Sequence, residues 1–268
     1  MNSRDGVYAH VSRHWDPLTC AEITEEIFTH HETTGSTNDD VLELPRASGW
    51  IGGVAVADYQ LRGRGRRGDR WEATAGRSLL FSVLVDLPRE GAAWHRLPQM
   101  VAWWMGRTIE EVTGPELRIQ SKWPNDLYCG NAKLGGILVE TRTHPWPRAA
   151  LGVGVNVNTR EKEFPDGLDA TSLFIRTRRE TCRWVLLGRF LEKVAREYPQ
   201  QNLYWESVLA WHRERDFLAG RLVEVRTGRT IVTGRARGVG DEGELAVETA
   251  PGKRETVSSC EELRDASE

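Results

Sequence analysis

Apolar residues follow two rhythms along this chain, and the rhythms divide it into strands and helices. Gly52–Gln60 (GGVAVADYQ), β-branched and apolar, and Ser78–Asp86 (SLLFSVLVD), a second apolar run, read as buried strands. Ala149–Val157 (AALGVGVNV) is a third. Between 97 and 112 the rhythm changes. Leu97, Val101, Met105, Ile109 and Val112 recur every three or four positions, which predicts an amphipathic helix. Thr181–Tyr198 and Asn202–Arg213 predict two more. Leu117–Trp123 predicts a strand stopped by the turn residues Pro124-Asn125-Asp126. Leu127–Cys129 and Leu134–Thr141 are expected to pair through Gly130-Asn131.

Residues 1–25 read as an irregular leader, with one short helix possible over 19–28. Composition shifts near Gly220. Short runs at Leu222–Arg226, Ile231–Gly234 and Glu244–Glu248, separated by glycine turns, predict a small β-barrel. The chain thus divides into a leader (1–25), a main domain (26–217) and a small C-terminal domain (218–268). Strands and helices of the main domain do not alternate strictly. An α+β fold, a mixed or antiparallel sheet with helices on one side, is the expected architecture.

Composition narrows the function. Hydrophobic residues make up 39% and charged residues 28% of 268, a balance that supports a packed core without covalent staples. Cys20, Cys129, Cys182 and Cys260 form no C-x-x-C pair, which argues against a zinc site or a disulfide framework. His10 and His14 are helically spaced, but no H-E-x-x-H accompanies them, so no metal site is assigned. No apolar run approaches the roughly 18 residues of a membrane span, and the first residues lack the apolar stretch of a signal peptide. A cytoplasmic protein without membrane partners is expected. A net charge of −3 implies no general attraction to nucleic acid.

Local charge departs sharply from that average. Arg62-Gly63-Arg64-Gly65-Arg66-Arg67-Gly68-Asp69-Arg70 carries five arginines, one aspartate and three glycines between two expected strands. Guanidinium groups bind carboxylate and phosphate through paired hydrogen bonds, and glycines let backbone approach a ligand. Gly63-x-Gly65-x-x-Gly68 formally matches a dinucleotide fingerprint, but that motif requires a helix to follow, and a strand follows here. A nucleic-acid-binding arginine-glycine segment would recur or carry interleaved aromatics. A solvated charged turn explains the arginines and not the glycine spacing. Small-anion binding is the favoured reading.

A second stretch, Lys122-Trp123-Pro124-Asn125-Asp126 followed by Lys133-Leu134-Gly135-Gly136-Ile137-Leu138, reads by itself as strand, turn and return strand. It acquires meaning from its company. Gly35-Ser36-Thr37-Asn38, Gln60-x-x-Gly63-Arg64-Gly65-Arg66-Arg67-Gly68-x-x-Trp71, the two lysine stretches, Gly152-x-Gly154-x-Asn156 and Ala170-Thr171-Ser172-Leu173 follow one another in order. This ordered set, from about Ser36 to Leu173, resembles the biotin–protein ligase family. The resemblance implies a class II synthetase-like catalytic domain with an SH3-like C-terminal domain. It implies ATP-dependent activation of biotin as biotinyl-5'-AMP, with Mg2+ on the nucleotide. Transfer to a lysine of a biotin carboxyl carrier protein or carboxylase biotin domain would follow.

By position, the resemblance assigns Ser36, Thr37, Asn38 and Gln60 to the ureido ring. Gly63, Arg64, Gly65 and Arg66 close over the ligand, with Arg64 and Arg66 beside its carboxylate and the α-phosphate. Trp71 packs over the biotin tail, Gly136 and Gly152 line its pocket, and Lys133 bridges carboxylate and phosphate. Arg66, Arg67, Asn125, Lys133, Asn156, Ala170 and Thr171 surround ATP, and Asp126 orients the acceptor lysine. Lys133, Arg66 and Arg64 are the expected catalytic groups. The physics agrees, because a carboxylate attacks an anionic phosphate only where cations neutralise both. Closure over the adenylate would also shield it from water.

Two positions depart from the family pattern. Asp69 stands where many members carry a basic residue toward the triphosphate, and Arg62 replaces a small residue. Members that double as repressors carry a winged helix of roughly 55–60 residues ahead of the catalytic domain. Only 35 residues precede Ser36, so a monofunctional enzyme without DNA binding is expected. A lipoate- or octanoate-type acyltransferase of the same fold, or a non-catalytic biotin sensor, are the alternatives. The intact loop and Lys133 disfavour the sensor, and Gln60 together with the arginine-glycine loop disfavours the acyltransferase. Monomer and homodimer both remain open.

Overall fold

The computed structural model describes residues 3–46, 49–88 and 93–266, with the side chains of 3–5, 67 and 93 outside the description. Its centre is a seven-stranded sheet in the order β1-β2-β3-β7-β6-β5-β4. The strands are β1 (Phe28–Thr34), β2 (Ile51–Gln60), β3 (Ser78–Asp86), β4 (Gln120–Lys122), β5 (Asp126–Cys129), β6 (Ala132–Arg142) and β7 (Arg148–Asn156). Only β1 and β2 run parallel; the other neighbours are antiparallel. The mixed sheet and the α+β class match the expectation.

Alternation along the strands gives the sheet two unlike faces. Val54 and Val56 of β2, Leu79, Phe81, Val83 and Val85 of β3, and Leu151, Val153 and Val155 of β7 join the main core. Helices α3 (Leu97–Thr113) and, after the short α4 (Leu173–Thr177), α5 (Arg183–Glu197) cover that face, and α6 (Gln201–Glu214) packs on α3. Interleaved with these residues are Ser82 on β3 and Gly152, Gly154 and Asn156 on β7, whose side chains leave space on the opposite face. There α2 (Thr37–Leu42) packs Val41 and Leu42 on Ala55, Leu84 and Ala150, a small second cluster. The expectation of helices on one side is corrected at this point. The six-residue α2 lies on the other face, where small residues leave room for it and for a cleft.

The leader is the second correction. Ser3–Ser12 form helix α1, while 19–28 hold only a short 3-10 turn at Glu25–Ile27. Val7, Tyr8 and Val11 share one face of α1, and Val11, Trp15, Cys20 and Ile23 enter the main core. The Tyr8 hydroxyl donates to the Ile23 carbonyl at 3.1 Å.

The C-terminal strands are β8 (Leu222–Thr227), β9 (Thr230–Val239), β10 (Leu245–Ala250), β11 (Lys253–Val257) and β12 (Glu262–Asp265). They form a distinct sheet in the order β11-β10-β9-β8-β12, and among the described residues no pairing joins its ends into the expected barrel. The connection around Gly243 is fastened to the main domain. Its carbonyl accepts from Trp123 Nε1 at 3.0 Å and Gln99 Nε2 at 3.1 Å. No helix of the described residues is long and apolar enough to cross a membrane.

Candidate active site

A cleft of about 320 Å3 opens on the small-residue face of the sheet. Ser36, Thr37, Asn38, Gln60, Arg64, Gly65, Arg66, Trp71, Asn125, Lys133, Gly136 and Gly152, all assigned by resemblance, line it. Asp126 and Asp69 line it as well.

At one end the polar groups form a chain. The Thr37 amide donates to Gln60 Oε1 at 2.8 Å. The Thr37 hydroxyl lies 2.7 Å from that of Ser82, which donates to Asn38 Oδ1 at 2.6 Å. Asn38 Nδ2 donates to the Leu138 carbonyl at 3.2 Å and to Glu140 Oε2 at 2.6 Å. Each side chain therefore has a fixed orientation, as a site that reads hydrogen bonds requires. Ser36, at the N-cap of α2, makes no capping bond through its buried side chain. The glycines are steric necessities. A Cβ on Gly152 would lie 2.3 Å from Asn38 Oδ1, and one on Gly154 would lie 2.8 Å from Trp71 Cε2.

The arginine-glycine segment is a compact turn. Trp71 N donates to Gly63 O at 2.9 Å and Gly65 N to Asp69 O at 2.6 Å, with a 3-10 turn at Arg66–Gly68. It links the antiparallel pair β2 and β3, so the dinucleotide reading fails in the structure too. Arg64 reaches back to α2 and β6. Its Nη1 and Nη2 donate to the two oxygens of Asp39 at 2.9 and 2.6 Å, and Nη2 donates to Glu140 Oε2 at 2.9 Å. Arg64 holds the Asp39 carboxyl below the ordinary carboxylate range through these bonds. Arg66 points elsewhere, its Nη2 donating to the Cys260 carbonyl at 2.9 Å. Cys260, Glu262 and Leu263 of the C-terminal region complete the cleft wall. The Arg67 side chain lies outside the described residues. Arg62 lies over Gly35, where a Cβ would meet its Nη2 at 2.8 Å.

The lysine end is built by β4, β5 and β6. Lys122 pairs in register with Asp126, and Asp126 with Gly136. An extra residue on β6 shifts the ladder between Leu127 and Tyr128, the bulge that sets Lys133 beside this hairpin. Lys133 Nζ lies 2.8 Å from Asp126 Oδ1 and 5.7 Å from the Trp71 ring centroid. Asn125 Nδ2 donates to the Ile137 carbonyl at 2.7 Å, which closes the Pro124 turn.

Three predicted nucleotide residues stand apart from this cleft. Ala170 and Thr171 pair with the Lys133 backbone, whose carbonyl accepts from Thr171 N at 2.8 Å. Asn156 lines a second cavity of about 460 Å3, which shares Gln60, Arg70 and Trp71 with the first. Sequence reasoning missed Ser82, Asp39, Glu140 and Cys260. Asp39 directly follows the Ser-Thr-Asn motif, and a hydroxyl inside the apolar run of β3 was a readable signal. Among the described residues no group of three or more His, Cys, Asp or Glu side chains gathers to hold a metal ion.

Comparison with known proteins agrees with this geometry. Residues 32–158 match the model of the biotin/lipoate A/B protein ligase family, and 219–261 that of the biotin protein ligase C-terminal domain. The biotin–[acetyl-CoA-carboxylase] ligase of Mycobacterium tuberculosis is 33% identical over 236 residues, covering 85% of this chain and 84% of that protein. The bifunctional ligase/repressor BirA of Bacillus subtilis is 30% identical over 256 residues, covering 90% of this chain and 75% of its own length. Among solved structures, the Aquifex aeolicus biotin protein ligase in complex with biotin and ATP superposes with a TM-score of 0.75 at 26% identity. It covers 89% of this chain and 99% of that one. Motif order, cleft and extended similarity coincide, and the chain belongs to the biotin protein ligase family.

Proposed function

We infer that this chain condenses biotin with ATP to biotinyl-5'-AMP and then transfers the biotinyl group to a lysine of a biotin carboxyl carrier domain. One observation carries the reading: a single cleft joins an oriented polar chain at Thr37, Asn38 and Gln60 to a cationic end at Arg66 and Lys133.

The ureido ring binds the polar end through Ser36, Thr37, Asn38 and Gln60. Gly63, Gly65, Gly136 and Gly152 give it room, and Trp71 covers the aliphatic tail. Lys133 and Arg66 neutralise the carboxylate and the α-phosphate so that the two anions meet. Arg64 contributes differently from the first expectation. Its guanidinium is satisfied by Asp39 and Glu140, so it fixes α2 and the loop to each other. Asn156, in the second cavity with Trp71, and Ala170 and Thr171, paired with the Lys133 backbone, are assigned with Arg67 to the nucleotide, with Asn125 at the cleft and Asp126 toward the acceptor. A cleft lined by several cations fits a triphosphate that brings its own Mg2+, which supplies further charge neutralisation when bound. We assign catalysis to residues 26–217 and read 218–268 as an SH3-like module that closes the cleft through Cys260.

The test is incubation with biotin, MgATP and a carrier domain, following pyrophosphate release and carrier mass. One biotinyl group should appear on one carrier lysine. Octanoate in place of biotin should give none. Lys133→Ala and Arg66→Ala should each slow pyrophosphate release about 100–1000-fold. Normal release by either variant refutes their assignment.

A further inference from the structure

Most cations lining the cleft have an evident partner. Lys133 lies 2.8 Å from Asp126, Arg64 holds Asp39 and Glu140, and Arg66 holds the Cys260 carbonyl. Lys122, on the same wall, has no carboxylate within ion-pair distance among the described residues. Its Nζ donates to the Tyr128 hydroxyl at 3.3 Å and sits 5.1 Å from the Tyr128 ring centroid and 5.7 Å from that of Phe217. The two rings are themselves in contact, with centroids 4.3 Å apart.

This cradle suits both protonation states of an amine. As an ammonium, Lys122 faces two aromatic rings and a phenol oxygen. As a neutral amine it can accept the Tyr128 O–H instead. Burial pushes the Tyr128 phenol up to about 12, so Tyr128 keeps its proton and does not become the missing counter-ion. The charged groups facing Lys122 oppose one another: Asp126 on β5 and Asp265 on β12 favour its proton, while Lys133 on β6 and Arg221 before β8 disfavour it. Desolvation tips the sum and draws its pKa below the usual lysine value.

We propose that Lys122 takes the proton from the ammonium of the incoming carrier lysine. This rests on the reading above, in which biotinyl-AMP waits in the same cleft. The carrier –NH3+ and the Lys122 –NH2 become carrier –NH2 and Lys122 –NH3+. The carrier nitrogen then forms the C–N bond, the acyl C–O bond to phosphate breaks, and its electron pair leaves with AMP. The second proton on that nitrogen, and later the one on Lys122, go to water. An amine is chemically suited to this task. Ordinary carboxylates and ammonium groups differ so much in proton affinity that the same transfer to a carboxylate is about a millionfold uphill. Asp126, held by Lys133, is better placed to orient the acceptor than to deprotonate it.

The test presents synthetic biotinyl-AMP to excess full-length protein in single turnovers, with two acceptors: a carrier domain, and hydroxylamine, which is already neutral at pH 7.5. Lys122→Gln should slow transfer to the carrier about 100-fold. The same variant should transfer to hydroxylamine within about threefold of the unsubstituted protein, which also verifies that it folds and holds the adenylate. Lys122→Arg, which keeps a positive charge but cannot accept a proton at this pH, should be as slow toward the carrier as Lys122→Gln. Equal loss with both acceptors, restoration by arginine, or carrier transfer within threefold of normal would each overturn the proposal. Failure of the unsubstituted protein to transfer biotin at all strikes the reading above instead.

Discussion

Single glycines decide how much ligand this cleft admits. Gly152 faces Asn38 Oδ1 and the Leu138 carbonyl, which a Cβ would meet at 2.3 and 2.9 Å. The carbonyl belongs to β6 and cannot retreat without disturbing the ladder to β7, so the strain falls on Asn38. Overpacking of this kind costs about 1–3 kcal/mol. Gly152→Ala should therefore weaken biotin binding about 10- to 100-fold in calorimetry. The fold should persist, because the altered face lies outside the main core. Unchanged affinity would mean that Asn38 does not touch the ureido ring. The motif glycines were visible in the sequence, yet their partners were not. Ser82 and Asn38 are 44 residues apart, and nothing local in either segment announces the contact.

At the scale of elements, legibility followed apolar content. Strands β2, β3 and β7 and helix α3 bury long apolar runs, and their patterns survived in the sequence. β1 (FTHHETT) lies at the sheet edge with one neighbour, so polar residues suffice and the strand was overlooked. α2 is too short to show a period. The chemistry of the arginine loop is legible in its residues, but its fastening is not, because Arg64 reaches carboxylates on α2 and β6 that are distant in sequence. Trypsin should accordingly cut the ligand-free protein at exposed Arg62 and Arg70 in preference to Arg64. Biotin with ATP should protect Leu61 to Arg70 further, read by mass spectrometry of the digest; equal cleavage with and without ligands counts against closure. The clamp itself is tested by Asp39→Asn. Losing one charge-assisted pair, about 1 kcal/mol at this half-exposed site, should raise the biotin Kd several-fold. Identical affinity in the variant would leave Arg64 without a positioning role.

Across the whole molecule, the catalytic wall is braced from behind by a histidine that belongs to no motif. His212 of α6 is buried between Gln99 of α3 and Ser121 of β4, the residue before Lys122. The Gln99 carbonyl can only accept, so Nε2 carries the proton, 2.8 Å from that oxygen, and Nδ1 accepts from the Ser121 hydroxyl at 2.8 Å. A second proton would have to face the Ser121 hydroxyl without water. Burial accordingly lowers His212 from 6.5 to about 4. The sign follows from linkage. Below pH 6.5 the unfolded chain takes up a proton that folded His212 refuses, so stability falls as pH drops from about 6.5 to about 4. Above that window the contribution is constant. Its full size is about 3 kcal/mol. Glutamine can keep both hydrogen bonds without titrating. The loss of stability between pH 7 and 4.5, measured by urea unfolding, should therefore be about 2–3 kcal/mol smaller in His212→Gln than in the unsubstituted protein. Other acid-sensitive groups are common to both proteins and cancel in the comparison. Parallel pH profiles would show that His212 does not remain neutral in the folded chain.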